Sequence, residues 1–338
     1  MTMQEIKNAM KNLSVNDLQE LSSEIFTVLS TTQSTFNDEA HLTNGIICPK
    51  CGSIHCVKNG KQSGFQRFIC RDCTRSFQIN TNSITSNSKL SKSKWIAYIE
   101  CMISGNSLRK SAEIVGVSLK TSFFMRHKIL DAITSFMDKG NVSGIIEMDE
   151  TFLAESFKGN HKKSGFTIPR KSRKRGKQVS KRGISKEQIC IGTAIDRNND
   201  IIMTMTNKGR VTSKQLETLY KGHVAEGSTL CTDSLYGYVT LSKNLNLSHK
   251  RIPSGKHSIG TYNLAHVNSL HTRFKGWVNR FRGVATKFLP NYLAWFKWLE
   301  MNKTLKESAK PEQLWNDAMA KMVDVRIRTI RNREVIFG

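Results

Sequence analysis

Two short cysteine pairs constrain this chain more than any other feature. Cys48-Pro49-Lys50-Cys51 is followed, beyond residues 52–69, by Cys70-Arg71-Asp72-Cys73. Each C-x2-C turn presents two thiolates to one point, and two such turns at this separation match a tetrahedral four-cysteine site for one structural Zn²⁺. Between the knuckles, Val57–Lys61 and Phe65–Ile69 read as hairpin strands, so residues 44–80 are expected to form a zinc ribbon and not a ββα finger. Redox-active pairs are the competing reading. Two pairs flanked by Lys50, Lys58, Lys61, Arg67, Arg71 and Arg75 favour zinc. Cys56, Cys101, Cys190 and Cys231 fall outside the spacing and are expected to be buried small hydrophobes. Eight cysteines in 338 residues, four of them in knuckles, point away from a disulfide scaffold and toward a reducing, cytoplasmic compartment.

Charge narrows the partner. The 52 Lys and Arg against 27 Asp and Glu leave a formal charge of +25, which asks for a polyanion, with nucleic acid the default. No run of about 18 apolar residues is present and the Lys-rich start lacks a signal-peptide core, so a membrane role is not expected. Residues 1–43 read as a helical arm, with Leu13, Leu18, Leu21, Ile25, Phe26 and Leu29 at near-helical spacing. Residues 88–138 have the grammar of a helix-turn-helix: Ser107 caps a short helix, Gly116 turns the chain and Ser118 caps a longer helix. That longer helix offers Lys120, Thr121, Arg126 and Lys128 to phosphates and base edges; a plain helical bundle is the alternative.

After Gly140 the pattern becomes alternating strands and helices. Ile145–Leu153, Ile189–Ile195 and Ile201–Thr206 read as strands, then a helix at Ser213–Val224, a strand at Ser228–Asp233, a helix at Tyr236–Leu245 and a strand near His249–Ile252. This is the element order of a ribonuclease-H-like mixed sheet with helices, expected over residues 141–300. The chain is therefore expected to be multidomain α/β, with residues 301–338 as a helical, basic tail. A loop over residues 158–186 holds twelve Lys and Arg, among them Lys171, Arg173, Lys174 and Arg175, and is expected to tighten on DNA phosphates. Arg273, Lys275, Arg280, Arg282 and Lys287 alternate with aromatics further on and could line the same channel, although the aromatics read first as core. The Arg-rich tail from Arg326 to Arg333 reads either as a frayed terminus or as a further DNA contact.

Asp149 and Asp233 each sit toward the C-terminal end of an apolar strand, where an acid is awkward unless it faces a cleft. Together they suit a hard divalent cation. Asn268 and Lys275, seven positions apart, fall on one helical face with His271 close to that line, while Leu270, Phe274, Trp277 and Phe281 make a separate buried stripe. Glu147 and Glu150 are candidate supplementary acids.

These motifs resemble bacterial insertion-sequence transposases of the DDE superfamily, specifically the zinc-ribbon-bearing family numbered fifteen ninety-five. The resemblance runs from about Ile46 to Leu299 through the paired knuckles, Met148-Asp149-Glu150-Thr151, Thr232-Asp233-Ser234, the Asn268 to Lys275 block and the stretch from Arg282 to Leu293. It implies a ribonuclease-H-like core with two Mg²⁺ or Mn²⁺ per active site, held by Asp149, Asp233 and a third ligand. It also implies recognition of terminal inverted repeats in double-stranded DNA, strand cleavage and strand transfer, and a homo-oligomer that holds two element ends in the bacterial nucleoid. The superfamily's third ligand is usually Glu; here Asn268 stands in its place, a neutral oxygen donor that can bind Mg²⁺ but cannot act as a base. Asn268 as ligand, His271 as substitute, or a weakened copy remain open, with Asn268 preferred because imidazole is the softer donor. The rivals are an inactive, sequence-specific DNA-binding protein derived from a transposase, and an RNA-directed nuclease on the same fold.

Overall fold

The computed structural model describes residues 8–10, 12–14, 16–22, 24, 45–62, 65–159, 167–169, 179, 181 and 183–337. Most of the expected N-terminal arm lies outside these, as do Lys171, Arg173, Lys174 and Arg175 of the basic loop.

The first unit is a three-stranded antiparallel sheet of β1 (Cys56–Gln62), β2 (Phe65–Cys70) and β3 (Ser76–Gln78). Phe68 and Phe77 pair across β2 and β3 and, with Cys48 and Cys70, make up its small buried core. The third strand was not legible in the sequence, because three residues are too few to show a period of two.

Three helices follow: α1 (Lys92–Ile103), α2 (Leu108–Val115) and α3 (Leu119–Phe136). Their starts are local chemistry. Ser91, Ser107 and Ser118 each accept a backbone N–H from the first turn, and Gly116 ends α2 at φ 65°, a left-handed geometry that a side chain resists. The tertiary role of α3 departs from expectation. Arg126 and Lys128 do not reach the surface. Arg126 is 1% exposed, donates to the Asn106 carbonyl (2.7 Å) and Ser111 Oγ (3.3 Å), and lies over the rings of Phe281 and Trp295. Lys128 Nζ donates to the Ser86 carbonyl at 2.5 Å. The reason is that the middle of α3 packs on all sides, leaving its ends open, the N-terminal one with exposed Lys120 and half-buried Thr121 and the C-terminal one with exposed Ser135 and Phe136.

The second layer system is a five-stranded sheet, order β6-β5-β4-β7-β8. Its strands are β4 (Ile145–Ala154), β5 (Gln188–Asp196), β6 (Ile201–Lys208), β7 (Thr229–Thr232) and β8 (Ser248–Arg251). β4, β5 and β6 run antiparallel as a meander, whereas β7 and β8 run parallel to β4, the mixed topology of the ribonuclease-H-like fold. On one face lie α4 (Ser213–Tyr220) and α5 (Tyr236–Asn244), which bury Leu216, Leu219, Tyr220, Tyr238 and Leu241 against Ile146, Met148, Cys190 and Ala194. Gly192 on β5 lets α4 approach closely, since a Cβ there would stand 2.4 Å from Leu219 Cδ2 and force that buried side chain to shift.

Across a short hairpin of β9 (Ser258–Ile259) and β10 (Tyr262–Asn263), the chain reaches the opposite face with α6 (Ala265–Asn279) and α7 (Leu289–Met301). Val267, Leu270 and Phe274 of α6 cover Ile189, Ile191 and Ile195, and the core continues without a break through Trp277, Phe281 and Trp295 into α1 and α3. The aromatics of this stretch are core, as their spacing suggested. Arg273 is engaged by Glu300 through two bonds of 2.9 and 2.8 Å. The tail, with α8 (Lys310–Met319) and α9 (Ile327–Arg331), is packed rather than frayed: Ile330 is buried and Arg333 meets Asp131 at 2.8 Å.

Candidate active site

Strand register assembles the carboxylates. In the parallel pair, Glu147 lies opposite Cys231, the last paired residues; Asp149 is two residues further along β4 and Asp233 follows the end of β7 at Thr232, near enough for its charge to act on Asp149. The C-terminal ends of neighbouring parallel strands are where a sheet opens a crevice to ligands. Asp149 is partly buried; Asp233 is exposed, and its Oδ1 accepts the Leu235 N–H at 2.9 Å, which sets the entry to α5.

Helix α6 closes the crevice from above. His271 Nδ1 is 3.7 Å from Asp149 Oδ2, and Lys275, one turn on, is exposed and close enough to act on the charge of both Asp149 and His271. Asn268 lies exposed one turn before His271. Burial, with Lys275's positive charge adding, holds His271 down at about 4, so the ring is neutral near pH 7. Asp149 is pushed up to about 6, first by burial and then by the charge of Asp233, while the Glu150 backbone and Lys275 oppose the shift. The crevice thus offers two carboxylates, of which Asp149 has its charge penalised by burial in the protein alone, with Asn268 exposed on the helix that carries His271. That oxygen-rich set fits a hard divalent cation.

The two flanking acids have separate roles. Strand alternation turns Glu150 to the face opposite Asp149, where the Tyr238 hydroxyl donates to it and burial pushes it up to about 7. Glu147 shares the Asp149 face, but its oxygens are taken up by the start of α6, and sequence reasoning had no signal for that role.

The raised carboxylates set a pH dependence. An acid whose folded value lies above its ordinary 3.8 stabilises the fold below that value and loses the contribution as pH rises through about 6, and Glu150 acts in the same sense. The melting temperature of metal-free protein is therefore expected to fall between pH about 4 and about 7, and Mg²⁺ to raise it at the upper end and not at the lower. Differential scanning fluorimetry over that range checks this; equal Mg²⁺ effects at both ends would count against cation binding at Asp149.

The four knuckle sulfurs all lie within 4.8 Å of one another, with Cys48 Sγ to Cys73 Sγ at 3.5 Å and Cys51 Sγ to Cys70 Sγ at 3.6 Å. A tetrahedron with Zn–S bonds of 2.3 Å has edges of about 3.8 Å, so the cluster fits structural zinc. The N–H groups of Cys73 and Asp72 draw the Cys70 thiol down to about 6, which favours the thiolate that zinc needs. Of the other cysteines, Cys101, Cys190 and Cys231 are buried, and Cys56 is half-buried beside the ribbon core.

Lys120, Arg280 and Arg282 are exposed, and Arg280 lies against the turn at Gly105. Lys158, counted with the basic loop, instead donates to the carbonyls of Phe281 (2.6 Å), Arg282 (3.2 Å) and Gly283 (2.9 Å).

Residues 141–300, which carry all of the crevice, match the family model described as the ISXO2-like transposase domain. The chain carries an ISXO2-like transposase domain. The family resemblance drawn from its motifs is borne out. It is also 25% identical to an uncharacterized protein in transposable element ISH50 of Halobacterium salinarum, over 261 residues, 75% of this chain and 85% of that protein. A solved pre-cleavage Mos1 transpososome is a remote neighbour, 10% identical over 71% of this chain and 82% of that one at a TM-score of 0.22, too low to establish a shared fold. Around the transposase domain, no helix among the described residues is long and apolar enough to cross a membrane.

Proposed function

We propose that this transposase binds the terminal inverted repeats of an insertion sequence in double-stranded DNA, cleaves at their ends and joins the freed 3′-hydroxyl to target DNA. The observation that carries this reading is Asp149 and Asp233 within reach of each other's charge, at the ends of neighbouring parallel strands of an ISXO2-like transposase domain. Asp149, Asp233 and Asn268 would hold two Mg²⁺ or Mn²⁺. Such a pair, when bound, supplies an activated attacking oxygen and charge relief at the leaving oxygen. Lys275, exposed and near enough to act on Asp149, would offset charge on the scissile phosphate. His271, neutral and buried beside Asp149, shapes the wall of the site, and Asn268, exposed one turn before it, is the preferred third donor because its oxygen is hard.

DNA contacts are assigned to Lys120 and Thr121 at the start of α3, to Arg280 and Arg282 after α6, and to the zinc ribbon. Two element ends must be held together for joining, which calls for a homo-oligomer on DNA. The test is cleavage and joining of a labelled fragment carrying the element's end with Mg²⁺ or Mn²⁺. Metal-dependent nicks at the end and joined products are expected; salt-sensitive binding with no cleavage would move the reading to an inactive DNA-binding relative.

A further inference from the structure

Helix α6 carries Asn268 and brings His271 and Lys275 to Asp149, yet its own residues cap its start only in part. Its N-cap is Leu264, which has no side-chain acceptor. The Ala265 N–H is taken by Asn263 Oδ1 at 2.9 Å, which leaves the next two N–H groups without a partner from the helix itself. Both are satisfied by a residue of strand β4. Glu147 Oε2 accepts the N–H of His266 at 2.8 Å and that of Val267 at 3.0 Å. Its other oxygen accepts from Arg197 Nη1 at 2.9 Å and meets His266 Nδ1 at 2.8 Å. Arg197 comes from the β5–β6 turn and also touches the His266 ring. The carboxylate is 1% exposed.

From these contacts we propose that Glu147 is a positioning residue: it caps α6 from the neighbouring strand and so fixes where Asn268, His271 and Lys275 stand relative to Asp149. A negative charge at a helix N-terminus is favourable in itself. Here it has a second effect, because the acceptor and Asp149 are two residues apart on one face of β4 while the donors and Asn268 are adjacent on α6. The tie therefore sets the height and rotation of the helix over the sheet at the point nearest the crevice. Packing of Val267, Leu270 and Phe274 tolerates small slides, since dispersion contacts are non-directional, whereas two backbone N–H bonds to one oxygen do not. Both oxygens of Glu147 are thereby engaged by the start of α6 and by Arg197.

The role rests on the strand-transfer reading for its consequence, and two readouts keep them apart. In metal-free full-length protein, Glu147→Gln is expected to speed amide exchange in the first turn of α6 while β4 stays protected, because the amide group that replaces one oxygen is a donor facing the donors Arg197 and His266. In the cleavage assay the same variant is expected to lose about 10²-fold in rate, the scale of an ångström misplacement at a reacting centre, with a raised half-saturating Mg²⁺ concentration and unchanged affinity for the element's end. Arg197→Met, which loosens the tie while leaving Glu147 in place, is expected to move exchange and rate in the same directions by less. Wild-type exchange in Glu147→Gln overturns the clamp. Faster exchange with a wild-type cleavage rate overturns its positioning role. A wild type that cleaves nothing overturns the strand-transfer reading, and exchange still decides the clamp.

Discussion

Asp149→Asn and Asp233→Asn are each expected to lower strand cleavage and joining by on the order of 10³-fold, the scale of removing one charge-stabilising group from a preorganised site, with little change in affinity for the element's end. Both substitutions keep shape. Asn at 233 retains an oxygen for the Leu235 N–H, so α5 still starts correctly. Asn at 149 removes a charge that burial penalises in the protein alone. Metal-free Asp149→Asn is therefore expected to melt higher than wild type near pH 7 while being inactive, a pairing that a simple folding defect cannot produce. Single-turnover cleavage alongside thermal melts checks both halves. A wild-type rate in either variant would remove that carboxylate from the mechanism.

The second large effect concerns the ribbon. Its buried core is little more than Phe68, Phe77 and the cysteines, too small to fold unaided. Structural zinc in such domains contributes about 10–16 kcal/mol. Cys70→Ser is expected to abolish the single equivalent of bound zinc and to collapse exchange protection across β1 to β3. The transposase domain should keep its own melting transition, because the ribbon's core is a cluster separate from those that flank the five-stranded sheet. Zinc content by atomic absorption and peptide-level exchange decide this. Retained ribbon protection without zinc would show that the cysteines serve some other purpose.

Much of the molecule is legible from local pattern. The serine caps and Gly116, the seven mixed-sheet elements and the knuckle spacing all express short-range geometry, and the observed bounds differ from expectation by a few residues at most, the largest being α4, which ends at Tyr220. Arg126 and Lys128 misled because a basic residue on a helix reads as a surface group; burial became affordable only through carbonyls and rings supplied by segments far away in the chain. Glu147 was visible as an acid beside Asp149, but its partners lie in the β5–β6 turn and at the start of α6, and no period or spacing links them.

The sequence by itself determined the parts: a four-cysteine cluster, a capped helical trio, a strand-and-helix order that permits one mixed sheet, and two acids at strand ends. Those follow from bond geometry over a few residues, where spacing dictates which side chains share a face. Only the tertiary structure decided that Asp149 and Asp233 come within reach of each other's charge, that the start of α6 is tied to Glu147, and that the middle of α3 belongs to the core. Register between distant strands and the docking of a helix depend on which faces bury one another and which buried donors find acceptors, and those are properties of the whole fold.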